Sequence, residues 1–248
     1  MTTFFRRSSV PAPVAPPPTR PGGGARPLPD ARGTLAVVAT AAAVPFLSLV
    51  ALVVGGWGPL LSLDSAVAER SYTWVRPRPE LAHGLQLWTE AFGTWSMRIV
   101  CLLTAAWLAV RRLFVTALWA CTAVFTANLA GLVTKLTVAR PRPEFADPVS
   151  VGVGPSFPSG HALMAVVGAG VLLLAVLPLL RGVWRGVAWV AAVAVAASTA
   201  LSRPLLGVHW LSDIAAGASL GVCVLALTLL AWTFLPAAVR RWDLPVRP

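Results

Sequence analysis

The first long apolar run of the chain, residues 34–56, reads TLAVVATAAAVPFLSLVALVVGG and contains no charged side chain. A helix of about 20 apolar residues is long enough to cross the hydrocarbon core of a bilayer. Further apolar runs of comparable length follow at about residues 85–110, 113–138, 160–180, 186–202 and 210–235. This pattern predicts an all-α protein, a bundle of six transmembrane helices.

The composition agrees with a membrane location. Of the 248 residues, 57% are hydrophobic and only 12% are charged, which lies far outside the range of soluble domains. The apolar runs leave no room for a large domain outside the membrane, so we expect one membrane domain over residues 34–236. Residues 1–33 are rich in proline, glycine and arginine and are predicted to be a disordered cytoplasmic tail. A second cytoplasmic tail is predicted over residues 237–248.

The segment between the first two runs differs from them in composition. From Asp64 to His83 it mixes charged side chains with Tyr72 and Trp74. Tyrosine and tryptophan are enriched where a membrane protein meets the lipid head groups. We therefore expect a short interfacial helix between the first and second spans, with His83 as an interfacial side chain.

The net charge of +11 has an uneven distribution along the chain. With a cytoplasmic amino terminus, that side holds twelve arginines against Asp30 and Asp243, whereas the other side holds eight cations against seven acids. Positive residues favour the cytoplasmic side of membrane proteins. The asymmetry predicts a multi-pass protein of the cell membrane with both termini in the cytoplasm. It also accounts for the high charge without nucleic-acid binding.

Polar chemistry is concentrated in the two loops that this topology places outside the cell. The first cluster, residues 135–143, reads KLTVARPRP and contains the only lysine of the chain. A lysine and an arginine together are common in phosphate sites, although snorkelling cations at a helix end would give the same pattern. Glu144 and Asp147 are candidate partners for Arg140.

The second cluster, residues 155–161, reads PSFPSGH at the start of the fourth span. Ser159 can cap that helix, and the free amides beside Gly160 form an anion site at the helix amino terminus. His161 would then lie beside any bound phosphate.

The third cluster, residues 202–213, reads SRPLLGVHWLSD. His209 and Asp213 are four residues apart, so they share one face at the start of the sixth helix. The aspartate can fix the imidazole tautomer and leave the other ring nitrogen free to attack, although a purely structural pair remains an alternative.

Two polar residues inside spans allow more than one interpretation. Arg98 is either part of a pocket or a cation that snorkels to the membrane surface, and we favour snorkelling. Asn128 is interpreted as a contact between helices. The three cysteines are isolated within apolar runs, so no disulfide framework is expected.

The three clusters together resemble the signature of the type 2 phosphatidic acid phosphatase superfamily, which includes lipid phosphate phosphatases and vanadium haloperoxidases. The matching elements are Lys135 with six residues to Arg142-Pro143, then Pro158-Ser159-Gly160-His161, then Ser202-Arg203 with five residues to His209 and three to Asp213. The resemblance covers about residues 60–235.

The resemblance implies a role for each matching residue. His209 would be the nucleophile, Asp213 its orienting partner, and His161 the acid and base, while the phosphate would be bound by Lys135, Arg142, Ser159, Gly160 and Arg203. The predicted topology places this site on the extracytoplasmic face. No metal ion or cofactor is expected, because the sequence shows no Asp/Glu/His metal cage and three cations can stabilise the phosphoryl group.

The substrate would be a lipid phosphomonoester or diphosphate such as undecaprenyl diphosphate or phosphatidic acid, hydrolysed through a phosphohistidine. A lipid phosphotransferase using the same site is an alternative, as are a transporter and a non-catalytic protein. The sequence leaves the oligomeric state open.

Overall fold

The computed structural model describes residues 31–235, which form eight α-helices and one 3₁₀ turn. The helices are α1 Ala31–Val54, α2 Gly58–Val75, α3 Pro79–Ala91, α4 Thr94–Val110, α5 Phe114–Val138, α6 Gly160–Val176, α7 Val183–Leu205 and α8 Leu211–Trp232, with the 3₁₀ turn at Leu177–Leu179 after α6. No strand occurs in this part of the chain. Most of the predicted tails, residues 1–30 and 236–248, lie outside the described residues.

Six segments are long and apolar enough to cross a membrane: α1, α3 with α4, α5, α6 with its 3₁₀ turn, α7 and α8. The prediction of an all-α protein with six spans is therefore confirmed. Between residues 31 and 235 the chain is a multi-pass integral membrane protein. Large apolar side chains are exposed on its outer helices, as lipid contact requires, including Val37, Leu102, Phe125 and Val190.

The second span is broken, which the continuous apolar run at residues 85–110 did not indicate. Helix α3 ends at Ala91 and α4 begins at Thr94, with Gly93 in an extended conformation between them. A side chain at Gly93 would be crowded, since a Cβ there would lie 2.8 Å from Cδ2 of His161. The helix break therefore brings bare backbone against a histidine of the second cluster.

The segment expected to be interfacial forms α2 and the first part of α3. Its interfacial position stays a prediction. Asp64, however, is only 1% exposed, because α2 packs on α7 and α8 and buries this face of the helix. The burial of this carboxylate was not predicted from the sequence.

Helix α6 is central and packs against α4, α5, α7 and α8. Small residues allow these close approaches. A Cβ at Gly217 would lie 2.5 Å from the carbonyl oxygen of Ser159, so α8 crosses the start of α6 at backbone distance. This packing fixes the first turns of α6 and α8 side by side.

The two ends of the described chain meet at the end of the bundle that is opposite to the first turns of α6 and α8. The Arg32 guanidinium donates a hydrogen bond of 2.8 Å to the carbonyl oxygen of Thr233, just after α8. Helix α8 begins beside the third cluster and ends here, so α1 starts at the end of the bundle away from that cluster.

Candidate active site

The three polar clusters meet at one end of the bundle. There the carboxyl ends of α5 and α7, the amino ends of α6 and α8, and the α3–α4 junction surround a cavity of about 650 Å³. The cavity is lined by six of the eight predicted site residues, namely Lys135, Arg142, Gly160, His161, Arg203 and His209. Ser159 and Asp213 are buried behind its wall.

His209 is held from behind by Asp213. Its Nδ1 lies 3.3 Å from Oδ2 of Asp213, and the same oxygen accepts a hydrogen bond of 2.9 Å from the backbone N–H of Trp210. Burial lowers the pKa of His209 to about 4, although the hydrogen bond to Asp213 raises it. At neutral pH the ring is therefore uncharged, with Nδ1–H donated to the aspartate and a lone pair on Nε2.

Arg142 contacts the other nitrogen of that ring. Its Nη1 lies 3.1 Å from Nε2 of His209 and donates to the carbonyl oxygen of Val208 at 2.6 Å. Carbonyl oxygens of the loop before α6 accept from Nε and Nη2. Backbone acceptors thus fix the guanidinium, and no carboxylate between residues 31 and 235 forms a salt bridge with it, so its positive charge is available to the cavity.

Lys135 and Arg203 complete the cationic wall. Lys135 Nζ donates a hydrogen bond of 2.7 Å to the carbonyl oxygen of Pro155. Arg203 is buried, and its Nη1 donates to Thr89 Oγ1 at 3.3 Å. Its Nε has no hydrogen-bond partner within residues 31–235. A buried polar group without a partner is unusual, and an anion in the cavity could supply one.

The start of α6 forms the floor of the cavity. Ser159 caps this helix, since its Oγ accepts from the backbone N–H of Ala162 at 3.4 Å, and its own N–H donates to the carbonyl oxygen of Asp213 at 3.0 Å. Gly160 and His161 follow in the first turn and line the cavity. The serine hydroxyl therefore serves the helix cap, while free backbone N–H groups of the first turn provide an anion site.

Arg140 and Asp64 form a buried network that the sequence did not predict. Arg140 Nη1 lies 2.8 Å from Oδ1 of Asp213, and its Nη2 lies 2.8 Å from Oδ2 of Asp64. Asp64 also accepts from the N–H of Ser212 at 2.9 Å and from its hydroxyl. The suggested partners of Arg140, Glu144 and Asp147, are wrong, because Asp147 pairs with Arg76 on the surface and Arg140 is turned inward.

This network is expected to matter for stability. The change Asp64→Asn leaves the buried Arg140 with one carboxylate, so we expect a loss of about 3–5 kcal/mol, as for other broken buried pairs. The measurement is the thermal melting temperature of the purified protein in detergent. The matched control is Asp147→Asn, which breaks an exposed pair and should cost at most about 1 kcal/mol. Equal melting temperatures for the two variants would contradict the prediction.

The cavity continues beyond the clusters toward α4 and the middle of α5. Arg98, Asn128, Trp95 and Leu132 line this part of the wall. Arg98 is thus a pocket residue, and the preferred interpretation of a snorkelling cation is wrong. Arg98 lies in the second turn of α4, just after the helix break at Gly93, which the sequence pattern did not reveal.

Fold and cavity define an integral membrane protein with a cationic pocket that contains two histidines. Residues 116–236 match the family model of the PAP2 superfamily, and this range includes all three motifs. The chain therefore contains a PAP2-superfamily region at residues 116–236, as its motifs indicated. It is a membrane phosphatase, a hydrolase of phosphoric esters.

A solved structure supports the fold. The chain is similar to a transmembrane PAP2-type phosphatidylglycerolphosphate phosphatase from Bacillus subtilis, with a TM-score of 0.67 and 23% sequence identity. The match covers 80% of this chain and 98% of that one. At this identity the likeness shows a common fold. No curated protein sequence matches the chain significantly.

Proposed function

We propose that this phosphatase hydrolyses a lipid phosphomonoester or diphosphate through a phosphohistidine at His209. The observation that carries the proposal is the position of Nε2 of His209, which lies 3.1 Å from Arg142 in a cavity that His161 also lines. Candidate substrates are phosphatidic acid, undecaprenyl diphosphate and phosphatidylglycerolphosphate, the lipid for which the Bacillus subtilis protein is named.

The cationic wall suits a phosphoryl group in the transition state. Lys135, Arg142 and Arg203 present three positive charges to one cavity, and the amino terminus of α6 adds backbone N–H donors. Fixed donors of this kind stabilise charge that develops during transfer, the role that metal ions play in other phosphatases. Ser159 would act indirectly by capping α6 and so positioning the N–H of Gly160.

In the first step, Nε2 of His209 attacks phosphorus while the bond from phosphorus to the leaving oxygen breaks. The electron pair departs with that oxygen, which takes a proton from protonated His161 and leaves this ring neutral for the second step. Before the attack, the Arg142 N–H that contacts Nε2 must donate its hydrogen bond to a phosphoryl oxygen instead. This change of acceptor frees the lone pair of Nε2. Asp213 stabilises the positive charge that forms on the ring of His209.

In the second step, water replaces the lipid product. His161 takes a proton from the water, whose oxygen attacks phosphorus as the bond from phosphorus to nitrogen breaks. The products are inorganic phosphate and neutral His209. If another alcohol takes the place of water, the same site becomes a phosphotransferase, so the ratio of free to transferred phosphate separates the two activities.

The mouth of the cavity supports a lipid substrate. Trp95 and Leu132 line the cavity, yet they are 74% and 53% exposed on the outside of α4 and α5. An apolar rim beside a cationic pocket suits a molecule with acyl or prenyl chains and a phosphate head group. The substrate would enter sideways from the bilayer, between these two helices.

The topology of the bundle supports an extracytoplasmic site. The start of α1 and the end of α8 lie at the end of the bundle away from the cavity. The excess of arginine at the chain termini favours the cytoplasm for that end. The cavity would then open at the outer leaflet.

The experiment that tests the function is phosphate release by the purified full-length protein in detergent, with these three lipids as substrates. We expect release from at least one of them, at a rate that EDTA leaves unchanged, because side chains supply the positive charge. Vanadate should inhibit the enzyme, because it adopts the five-coordinate geometry that phosphorus has during the transfer. Release that stops with EDTA and returns with added metal would overturn the metal-free mechanism, and no release from any lipid would overturn the proposed function.

The low pKa of His209 predicts an unusual pH dependence. Below about pH 4 the ring is protonated and Nε2 has no lone pair, whereas above it the nucleophile is ready. After correction for ionisation of the substrate, kcat/KM should fall on the acid side with a pKa near 4 instead of the ordinary 6.5. An acid limb near 6.5 that disappears in Asp213→Asn would contradict this prediction.

A further inference from the structure

We propose that Arg98 forms a second anion subsite, which selects lipids that carry another phosphate group besides the one transferred. This inference rests on the proposed function and specifies its substrate class. The subsite consists of Arg98 with Asn128 and Trp95, all in the wall of the catalytic cavity.

Arg98 is held in place by neutral partners. Its Nε donates to Oδ1 of Asn128 at 2.9 Å, and its Nη2 donates to the same oxygen. The guanidinium lies over the ring of Trp95, 4.6 Å from the centroid. The amide nitrogen of Asn128 donates to the carbonyl oxygen of Val124 at 2.8 Å, which fixes the orientation of the acceptor oxygen. The cation is therefore positioned before any ligand binds.

The charge of Arg98 is not neutralised by a carboxylate among residues 31–235. Arg76 and Arg140 form salt bridges, but Arg98 forms none, although Glu90 lines the same cavity. Its Nη1 donates no hydrogen bond to any residue from 31 to 235. A cation within a membrane helix is expensive and tends to be kept for a ligand or pathway. A guanidinium edge that faces a cavity suits a phosphate group.

The subsite lies deeper in the bundle than the catalytic cluster. Asn128 precedes Lys135 by seven residues on α5, a separation of about 10 Å along the helix. Arg98 follows Thr94 by one turn of α4, and a Cβ at Gly160 on the floor of the cavity would lie 3.6 Å from Oγ1 of Thr94. A lipid whose terminal phosphate reaches His209 must pass this wall on its way to the bilayer.

The spacing favours a second phosphate that is separated from the first. In a glycerol-bridged lipid such as phosphatidylglycerolphosphate, an internal phosphodiester lies between the terminal phosphate and the acyl chains. That group would meet Arg98 while the chains pass the apolar Trp95 and Leu132. Phosphatidic acid has one phosphate, so it would leave Arg98 without an anion.

The test measures kcat/KM of the full-length enzyme for phosphatidic acid, a prenyl diphosphate and phosphatidylglycerolphosphate. The change Arg98→Gln should lower kcat/KM roughly 10- to 100-fold for the glycerol-bridged lipid, as for a lost charged hydrogen bond. For phosphatidic acid, kcat/KM should change less than about twofold. A loss confined to the prenyl diphosphate would overturn the subsite, because its two phosphates are adjacent and cannot span the separation between Arg98 and the catalytic cations.

Two further variants separate binding from structure. The change Asn128→Asp keeps an oxygen that accepts from Arg98, but the new carboxylate neutralises the charge of the arginine. The same selective loss of kcat/KM is therefore expected. If Arg98 had a purely structural role, this change would be tolerated. The matched control is Arg111→Gln, which removes an arginine that stacks on Trp107 at the other end of α4 and should leave all three substrates unaffected.

Equal losses on all three lipids, or no selective loss in either Arg98→Gln or Asn128→Asp, would overturn the subsite while the proposed function stands. Failure of the unmodified enzyme to release phosphate from any lipid would instead refute the proposed function.

Discussion

The change His209→Ala is expected to abolish phosphate release, with kcat lower by about 10⁴-fold or more. The imidazole forms the bond to phosphorus in the proposed mechanism. When other enzymes lose their nucleophile, kcat falls by a factor of this order. The loss of kcat should be equal for lipid and aryl phosphates, because both reactions need the bond between His209 and phosphorus. Steady-state phosphate release by the purified variant is the measurement.

The third histidine offers a matched control. His83 is exposed on α3 and does not line the cavity. We expect His83→Ala to keep full activity and His209→Ala to elute from size exclusion in detergent like the unmodified protein. A folded His209→Ala variant that retains more than about 1% of the activity would refute the nucleophile assignment.

The change His161→Ala is expected to lower kcat for lipid substrates by about 10²- to 10⁴-fold, the range for a lost general acid or base. The effect should depend on the leaving group. A lipid alkoxide needs a proton as it departs, whereas a nitrophenolate is stable without one, so formation of the phosphoenzyme from p-nitrophenyl phosphate should be much less affected. Rapid-mixing measurements of nitrophenol release test this difference.

Gly93 provides an independent check on the position of His161. A Cβ at this residue would lie 2.8 Å from Cδ2 and 3.0 Å from Nε2 of that ring. The same Cβ would clash with the carbonyl oxygen of Thr89. The variant Gly93→Ala should therefore shift the α3–α4 junction as well as the imidazole, and we expect it to share the leaving-group dependence of His161→Ala. If His161→Ala slows nitrophenol release and lipid hydrolysis equally, His161 is not the acid.

The membrane spans could be predicted from the sequence because apolar length is a direct requirement of the bilayer. The predicted runs at 113–138 and 210–235 correspond closely to α5 at Phe114–Val138 and α8 at Leu211–Trp232. The break at Gly93 could not be predicted, since the backbone there packs against His161 of another helix. Such a contact leaves no periodic signal near residue 93.

The candidate site shows the same division. The motif spacing singled out His209 and the cations as candidates, because their chemistry is concentrated in short segments, and the fold brings them to one cavity. Arg140 stands within the first motif, yet its two buried ion pairs with Asp64 and Asp213 depend on how α2 packs against α8. In the sequence, Asp64 is one of several charged residues in a mixed segment, so nothing there indicates that it is buried. Its burial is a property of the tertiary fold.

The most direct test of the central claim is to trap phosphate on the chain. In His161→Ala, p-nitrophenyl phosphate should still phosphorylate His209, but hydrolysis should stall because no base activates the water. Rapid quenching with phosphate-labelled substrate should then give label on the protein that is labile to acid, stable to base and absent when His209→Ala is added. A burst of nitrophenol without label on the chain, or label that persists in the double variant, would contradict a phosphohistidine at His209.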